Sequence, residues 1–191
     1  MPQFLSFVYL VSSLLIITFL ISFAIYGFRN IKTEGAFLFA TWLLLISVWL
    51  FIVNLIPYLT ETNLMVTMVI ELVVYSLIPA IYLMYMLRFT SHKQWVNSWR
   101  QIILLLIPVS TIIFGVVSQF NHLIWKDIQV SISNTLLSVN YQFGYWLTFF
   151  WISVIVAHLF IFYELIRAEK IPLNIDNPYA LNVKIAAGLA L

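Results

Sequence analysis

The stretch Phe4 to Phe28, FLSFVYLVSSLLIITFLISFAIYGF, decides the fold. It carries no charged side chain. As a helix rising about 1.5 Å per residue it reaches across a hydrocarbon core about 30 Å thick. A secretory leader would show a basic flank and a shorter apolar run, whereas Met1, Pro2 and Gln3 supply no basic residue, so the segment reads as a retained anchor. Similar runs follow at about 35–58, 64–87, 102–117 and 143–166, the fourth being the shortest. A sixth begins near Tyr179 and is still apolar at Leu191. The expected fold class is therefore all-α: a polytopic transmembrane helix bundle of five full spans plus the start of a sixth, in a chain expected to continue.

Composition agrees with this reading. Of 191 residues, 63% are hydrophobic and only 8% charged, against about 25% charged in a soluble domain. The net charge of +2 is too small and too scattered for a nucleic-acid partner. With no cysteine, disulfides, thiol catalysis and cysteine-held metals are excluded. Only five glycines are present, so no small-xxx-small packing face is evident.

The charges report orientation instead. Arg29 and Lys32 follow the first span, Arg88, Lys93 and Arg100 the third, and Arg167 and Lys170 the fifth, while the intervening loops hold only Lys126. By the positive-inside rule the N-terminus lies outside, and the first, third and fifth connections lie in the cytoplasm of an inner or plasma membrane. One outer connection, Gln119 to Gln142, is long. In it Ile128, Val130 and Ile132 alternate with Gln129, Ser131 and Ser133, and Leu137, Val139 and Tyr141 with Ser138, Asn140 and Gln142. That period of two, with Ser133, Asn134 and Thr135 as turn residues, predicts a short extracellular β-hairpin between the fourth and fifth spans, placed to cover the outer mouth of the bundle.

Among the polar residues in the spans, Glu71 stands out, because an ionisable group there costs at least about 2.5 kcal/mol on insertion scales. Asn54 shares its outer leaflet, and Tyr75 follows four residues later on the same helix face. Pro79 cannot donate to the Tyr75 carbonyl, so a helix kink is expected there. His122 and Trp125, in Asn121-His-Leu-Ile-Trp125, stand at the outer end of the fourth span. These five polar and aromatic residues, Asn54, Glu71, Tyr75, His122 and Trp125, are the candidate ligand or sensing contacts. Each has a plainer reading. Glu71 can be a protonated packing residue, and Trp125 an interfacial anchor, as can Tyr141, Tyr145 and Trp146. His158 in the fifth span reads as an interhelical bridge before a proton site. Trp95 and Trp99, between Lys93 and Arg100, read as a membrane-surface anchor.

No HExxH, GxSxG, Walker loop or Cys/His cluster occurs, so this segment is expected to be no enzyme, with no catalytic residue, cofactor or metal. Nor does a mid-span lysine offer itself to a retinal-type Schiff base.

The outside N-terminus, the third helix with Glu71, Tyr75 and Pro79, the motif Asn121-His122-Leu123-Ile124-Trp125 and the opening Gly144-Tyr145-Trp146 together resemble the N-terminal seven-helix region of bacterial and archaeal sensor histidine kinases. The resemblance covers nearly the whole chain and implies that residues 1–191 are the N-terminal part of a seven-helix membrane sensor domain. It further implies cytoplasmic signalling domains in the same chain, often a PAS domain and then a kinase, sometimes a diguanylate cyclase, and a homodimer. The expected function is a sensory input module in the lipid bilayer that detects a small ligand or membrane stimulus at an outward-facing pocket. A rival reading is a small transporter or permease subunit using Glu71 as a proton or cation site. Against it, Pro79 and Pro108 are the only pair resembling broken helices, and the halves around them do not match.

Overall fold

The computed structural model describes residues 2–88, 101–121, 123–133 and 136–169. Five helices and one two-stranded sheet follow in chain order: α1 (Pro2–Arg29), α2 (Ala36–Leu55), a single 3-10 turn (Ile56–Tyr58), α3 (Glu61–Arg88), α4 (Gln101–Asn121), β1 (Trp125–Ser133), β2 (Leu136–Phe143) and α5 (Tyr145–Glu169). Among the described residues four helices, α1, α2, α3 and α5, are long and apolar enough to cross a membrane. The fourth expected span corresponds to α4, a helix of 21 residues without a charged side chain, about 31 Å of rise. The sixth segment lies outside the described residues.

The helices bury narrow faces and leave broad apolar ones outside. On α1, Leu15 is 67% and Phe19 62% exposed, a surface that water would not tolerate and lipid tails match. Between α1 and α2 the contact is made by small residues, because without a hydrophobic drive between helices in lipid, close backbone approach supplies the packing energy. Ala24 and Ala40 are 1% and 0% exposed, and a methyl added at Gly27 would meet the Ala40 Cβ at 2.9 Å. A small-residue face is thus present after all, built mostly from alanines, which a count of glycines does not register. Gly35 turns the chain into α2 with φ 79°, a left-handed conformation that glycine adopts without a Cβ clash.

The α2–α3 contact is a ladder of aromatic rings. Phe39 meets Tyr85 at 5.4 Å, Trp42 meets Tyr82 at 5.0 Å and Trp49 meets Tyr75 at 5.9 Å between centroids. Steps of three and seven residues up α2 are matched by the same steps down α3. This is what two antiparallel helices in one fixed register produce, and each ring pair adds about 0.5–1.5 kcal/mol beyond its burial. An ion pair from Glu34 to Arg88, 3.7 Å, ties the α1–α2 turn to the end of α3. Both partners are partly exposed, so it contributes little.

The sheet is an antiparallel hairpin in which Ile128 faces Tyr141, Val130 faces Val139 and Ile132 faces Leu137, with Gln129 opposite Asn140 and Ser131 opposite Ser138. Apolar pairs with apolar and polar with polar, as the alternation requires. The strands are longer than the alternating stretches and include Trp125 and Phe143, with a bulge between Trp125 and Asp127. The hairpin packs at the end of the bundle where α2 meets α3. Ile124 and Trp125 join Leu64, Met68, Leu72, Leu147 and Phe150 in one buried cluster, with Ile56 and Ile128 against it. The amides of Gly144 and Trp146 donate to the carbonyls of Ile124 and Leu123 at 2.7 and 3.0 Å, so the base of the hairpin satisfies donors that the start of α5 leaves open.

The α1–α2 contact yields a direct test. Gly27→Val should lower the unfolding free energy in detergent by about 1–3 kcal/mol through overpacking against Ala40. Tyr26→Val, on the exposed side of the same turn, should change it by less than about 0.5 kcal/mol.

Candidate functional site

Beneath the hairpin, α2, α3 and α5 enclose a cavity of about 290 Å³ lined by Trp49, Met68, Glu71, Leu72, Tyr75, Trp125, Phe143, Leu147 and Trp151. Three of the expected residues, Glu71, Tyr75 and Trp125, come together in its wall. Glu71 and Tyr75 share a face of α3 because they are one helical turn apart. Trp125 reaches the cavity because the first strand starts beneath the hairpin, and at 7% exposed it is a core side chain rather than a surface anchor.

The polar centre of the cavity is the half-buried Glu71 carboxyl. The indole Nε1–H of Trp49 donates to its Oε1 at 3.3 Å, joining α2 to α3. Around it the wall is aromatic. Tyr75 lies 5.9 Å from Trp49, 6.0 Å from Phe150 and 5.5 Å from Trp151 between ring centroids. A single ring on α3 therefore touches α2 on one side and α5 on the other. An apolar chamber with one carboxyl and a few convergent donors is the usual chemistry of a small-molecule site. Such a chamber favours an apolar or aromatic ligand that carries one hydrogen-bonding or cationic group for Glu71.

Other expected residues lie elsewhere. Asn54 is turned toward α1: its Oδ1 accepts from the Ser13 hydroxyl at 3.1 Å, and its Nδ2 donates to the Leu50 carbonyl at 2.7 Å. That places it in the α1–α2 contact and not in the cavity wall. His122 lies outside the described residues, as do Trp95 and Trp99. Pro79 sits inside a continuous α3, without a break in the helix, and lines a second cavity further along it. Tyr145 is 86% exposed. Trp146 instead donates from Nε1 to the Thr111 hydroxyl at 3.0 Å, a bond between α5 and α4. His158 stacks on Tyr82 at 5.7 Å, a ring contact between α5 and α3, while its Nδ1 bonds the Val154 carbonyl of its own helix.

Trp49 is the site residue that reading the sequence missed. Its signal was present: Phe39, Trp42 and Trp49 repeat the intervals of Tyr85, Tyr82 and Tyr75 in reverse. Seen as a matched stripe, the two sets put Trp49 opposite Tyr75 and one turn from Glu71. Phe143 and Trp151 carry no comparable pattern and enter the cavity only through tertiary packing.

No curated protein and no solved structure matches this chain. A family model does match, that of the N-terminal 7TM region of histidine kinase, over residues 10–174. The match covers most of the chain, including all of the described cavity, and the family is a sensor input region, not a catalytic domain. The helices long and apolar enough to cross a bilayer agree with it. The chain belongs to the family of N-terminal seven-transmembrane regions of histidine kinases.

Proposed function

We propose that this chain is the sensory input module of a two-component sensor histidine kinase, receiving its stimulus in the cavity around Glu71 and passing a change in helix packing to cytoplasmic output domains. The observation that carries the proposal is the Trp49–Glu71 hydrogen bond inside a roofed aromatic cavity. A ligand group that competes for Glu71 acts on the bond joining α2 to α3. Through Tyr75 it also acts on the contact of α3 with α5. The stimulus must favour one arrangement of these helices, since equal affinity for two states shifts nothing. Pro79, which lacks the backbone donor of its turn, is the point on α3 where the least energy is needed to change the bend.

In this reading the cavity faces outward and the chain starts outside. α4, 21 residues long and free of charged side chains, then crosses the membrane. Its first residue, Gln101, lines a space together with Lys32 and Arg88 at one end of the bundle, while the strand that follows it packs on Leu64 at the other.

Residues 1–191 contain no cysteine, so a single cysteine introduced among them, with any elsewhere in the protein replaced, reports topology cleanly. In intact cells a membrane-impermeant maleimide should label Asp127→Cys in the hairpin, and should label Lys32→Cys only after permeabilisation. The reverse pattern would invert the orientation.

The site itself is tested on the full-length protein. Glu71→Gln and Tyr75→Phe, at matched membrane expression, should change basal autophosphorylation or reporter output by about fivefold or more, the low end of typical coupling between sites. Normal signalling from both variants would make Glu71 a packing residue and remove the cavity from the mechanism.

A further inference from the structure

Tyr75 is also the wall between the Glu71 cavity and a second one of about 300 Å³, lined by Trp42, Tyr75, Ile78, Pro79, Tyr82, Phe150, Val154 and His158. Counted along α5 from Tyr145, His158 lies about 20 Å from the hairpin end, so this space sits in the half of the bundle away from the hairpin. No residue in its wall carries a fixed charge, and five of the eight are aromatic or imidazole rings. Trp42 and His158 flank Tyr82, with centroids at 5.0 and 5.7 Å, and the His158 and Tyr82 planes are inclined by only 22°.

The hydrogen bonding of His158 gives the site its polarity. Nδ1 lies 2.7 Å from the Val154 carbonyl oxygen, which can only accept, so Nδ1 carries the hydrogen of the bond. In the neutral ring Nε2 then keeps its lone pair and is an acceptor. Among the described residues neither Nε2 nor the Tyr82 hydroxyl has a hydrogen-bond partner. A lone pair at Nε2 accepts from a donor placed in this space.

We infer that this second cavity is a binding site for a membrane-dissolved phenol or hydroquinone, whose ring stacks among Trp42, Tyr82 and Phe150 while its hydroxyl donates to His158 Nε2. The space suits that class of ligand. A dry cavity of about 150 Å³ already holds benzene, so this one accommodates a substituted ring. The absence of charge in the wall disfavours ions. The imidazole acceptor favours a ligand that donates over one that only accepts. The inference does not depend on the role of the Glu71 cavity.

The test uses the full-length protein in lipid nanodiscs, titrated calorimetrically with 2-decylhydroquinone and with its dimethyl ether, after subtraction of partitioning into empty nanodiscs. The two probes share a ring and a tail, and in the ether methyl groups replace both hydroxyl hydrogens. The native protein should bind the hydroquinone about tenfold more tightly than the ether, as expected for one buried hydrogen bond. His158→Phe, which keeps a ring in place, should bring the two affinities together while leaving that for the ether unchanged. Equal affinities in the native protein, a preference that survives His158→Phe, or no saturable binding of either probe would overturn the inference. Should His158→Phe fail to insert, equal affinities or no saturable binding in the native protein still overturn the inference.

Discussion

Hydrocarbon offers no hydrogen-bond partners, and every polar group on these helices has to find one within the protein. Most hydroxyls are satisfied along their own helix. Thr18 donates to Leu14, Ser22 to Thr18, Thr41 to Phe37 and Ser47 to Leu43, each at 2.8 Å. Bonds that cross between helices are the consequential ones: Ser13 to Asn54 joins α1 to α2, Trp49 to Glu71 joins α2 to α3, and Trp146 to Thr111 joins α5 to α4. Each contributes roughly 0.6 kcal/mol, rising to about 2 kcal/mol at most, which is small beside the packing around it. What these bonds contribute chiefly is register. Only one of the three uses an ionisable side chain, and that one opens onto a cavity.

α3 is the hub of the arrangement. It meets α2 through the aromatic ladder and α5 through Tyr75 and Tyr82. Its Leu72 side chain packs so closely on Gly115 of α4 that there is no room there for a Cβ. A displacement of α3 is consequently felt by three neighbours at once. The two cavities lie on either side of Tyr75 along this same helix. Matter placed in either one presses on a ring that both share.

Much of this was legible in the sequence. Length and apolarity placed four spans to within a few residues, because in a bilayer the hydrophobic run and the element coincide. Strict alternation placed both strands, and the one-turn spacing of Glu71 and Tyr75 placed them on one face. Asn54 lies on the side of α2 facing α1 and not in the wall of the Glu71 cavity, since depth says nothing of azimuth. Pro79 predicts a lost backbone bond, and α3 runs on through it as one helix. Trp49 was hidden because tryptophan in an apolar run is unremarkable until its partner stripe on α3 is aligned against it. The small-residue seam of Ala24, Gly27 and Ala40 was hidden in the same way, being a property of two helices and of neither alone.

The central claim is that α3 has two packings and that Glu71 biases them. A fluorine label reads this directly: 3-fluorotyrosine placed at Tyr82, beyond Pro79 and about 16 Å along the helix from Glu71, in the full-length protein in nanodiscs. The account predicts that Glu71→Gln changes the fluorine spectrum, either by redistributing intensity between two resonances or by moving one averaged resonance. A single resonance at the same position in both proteins would contradict it, since α3 would then have one packing regardless of Glu71.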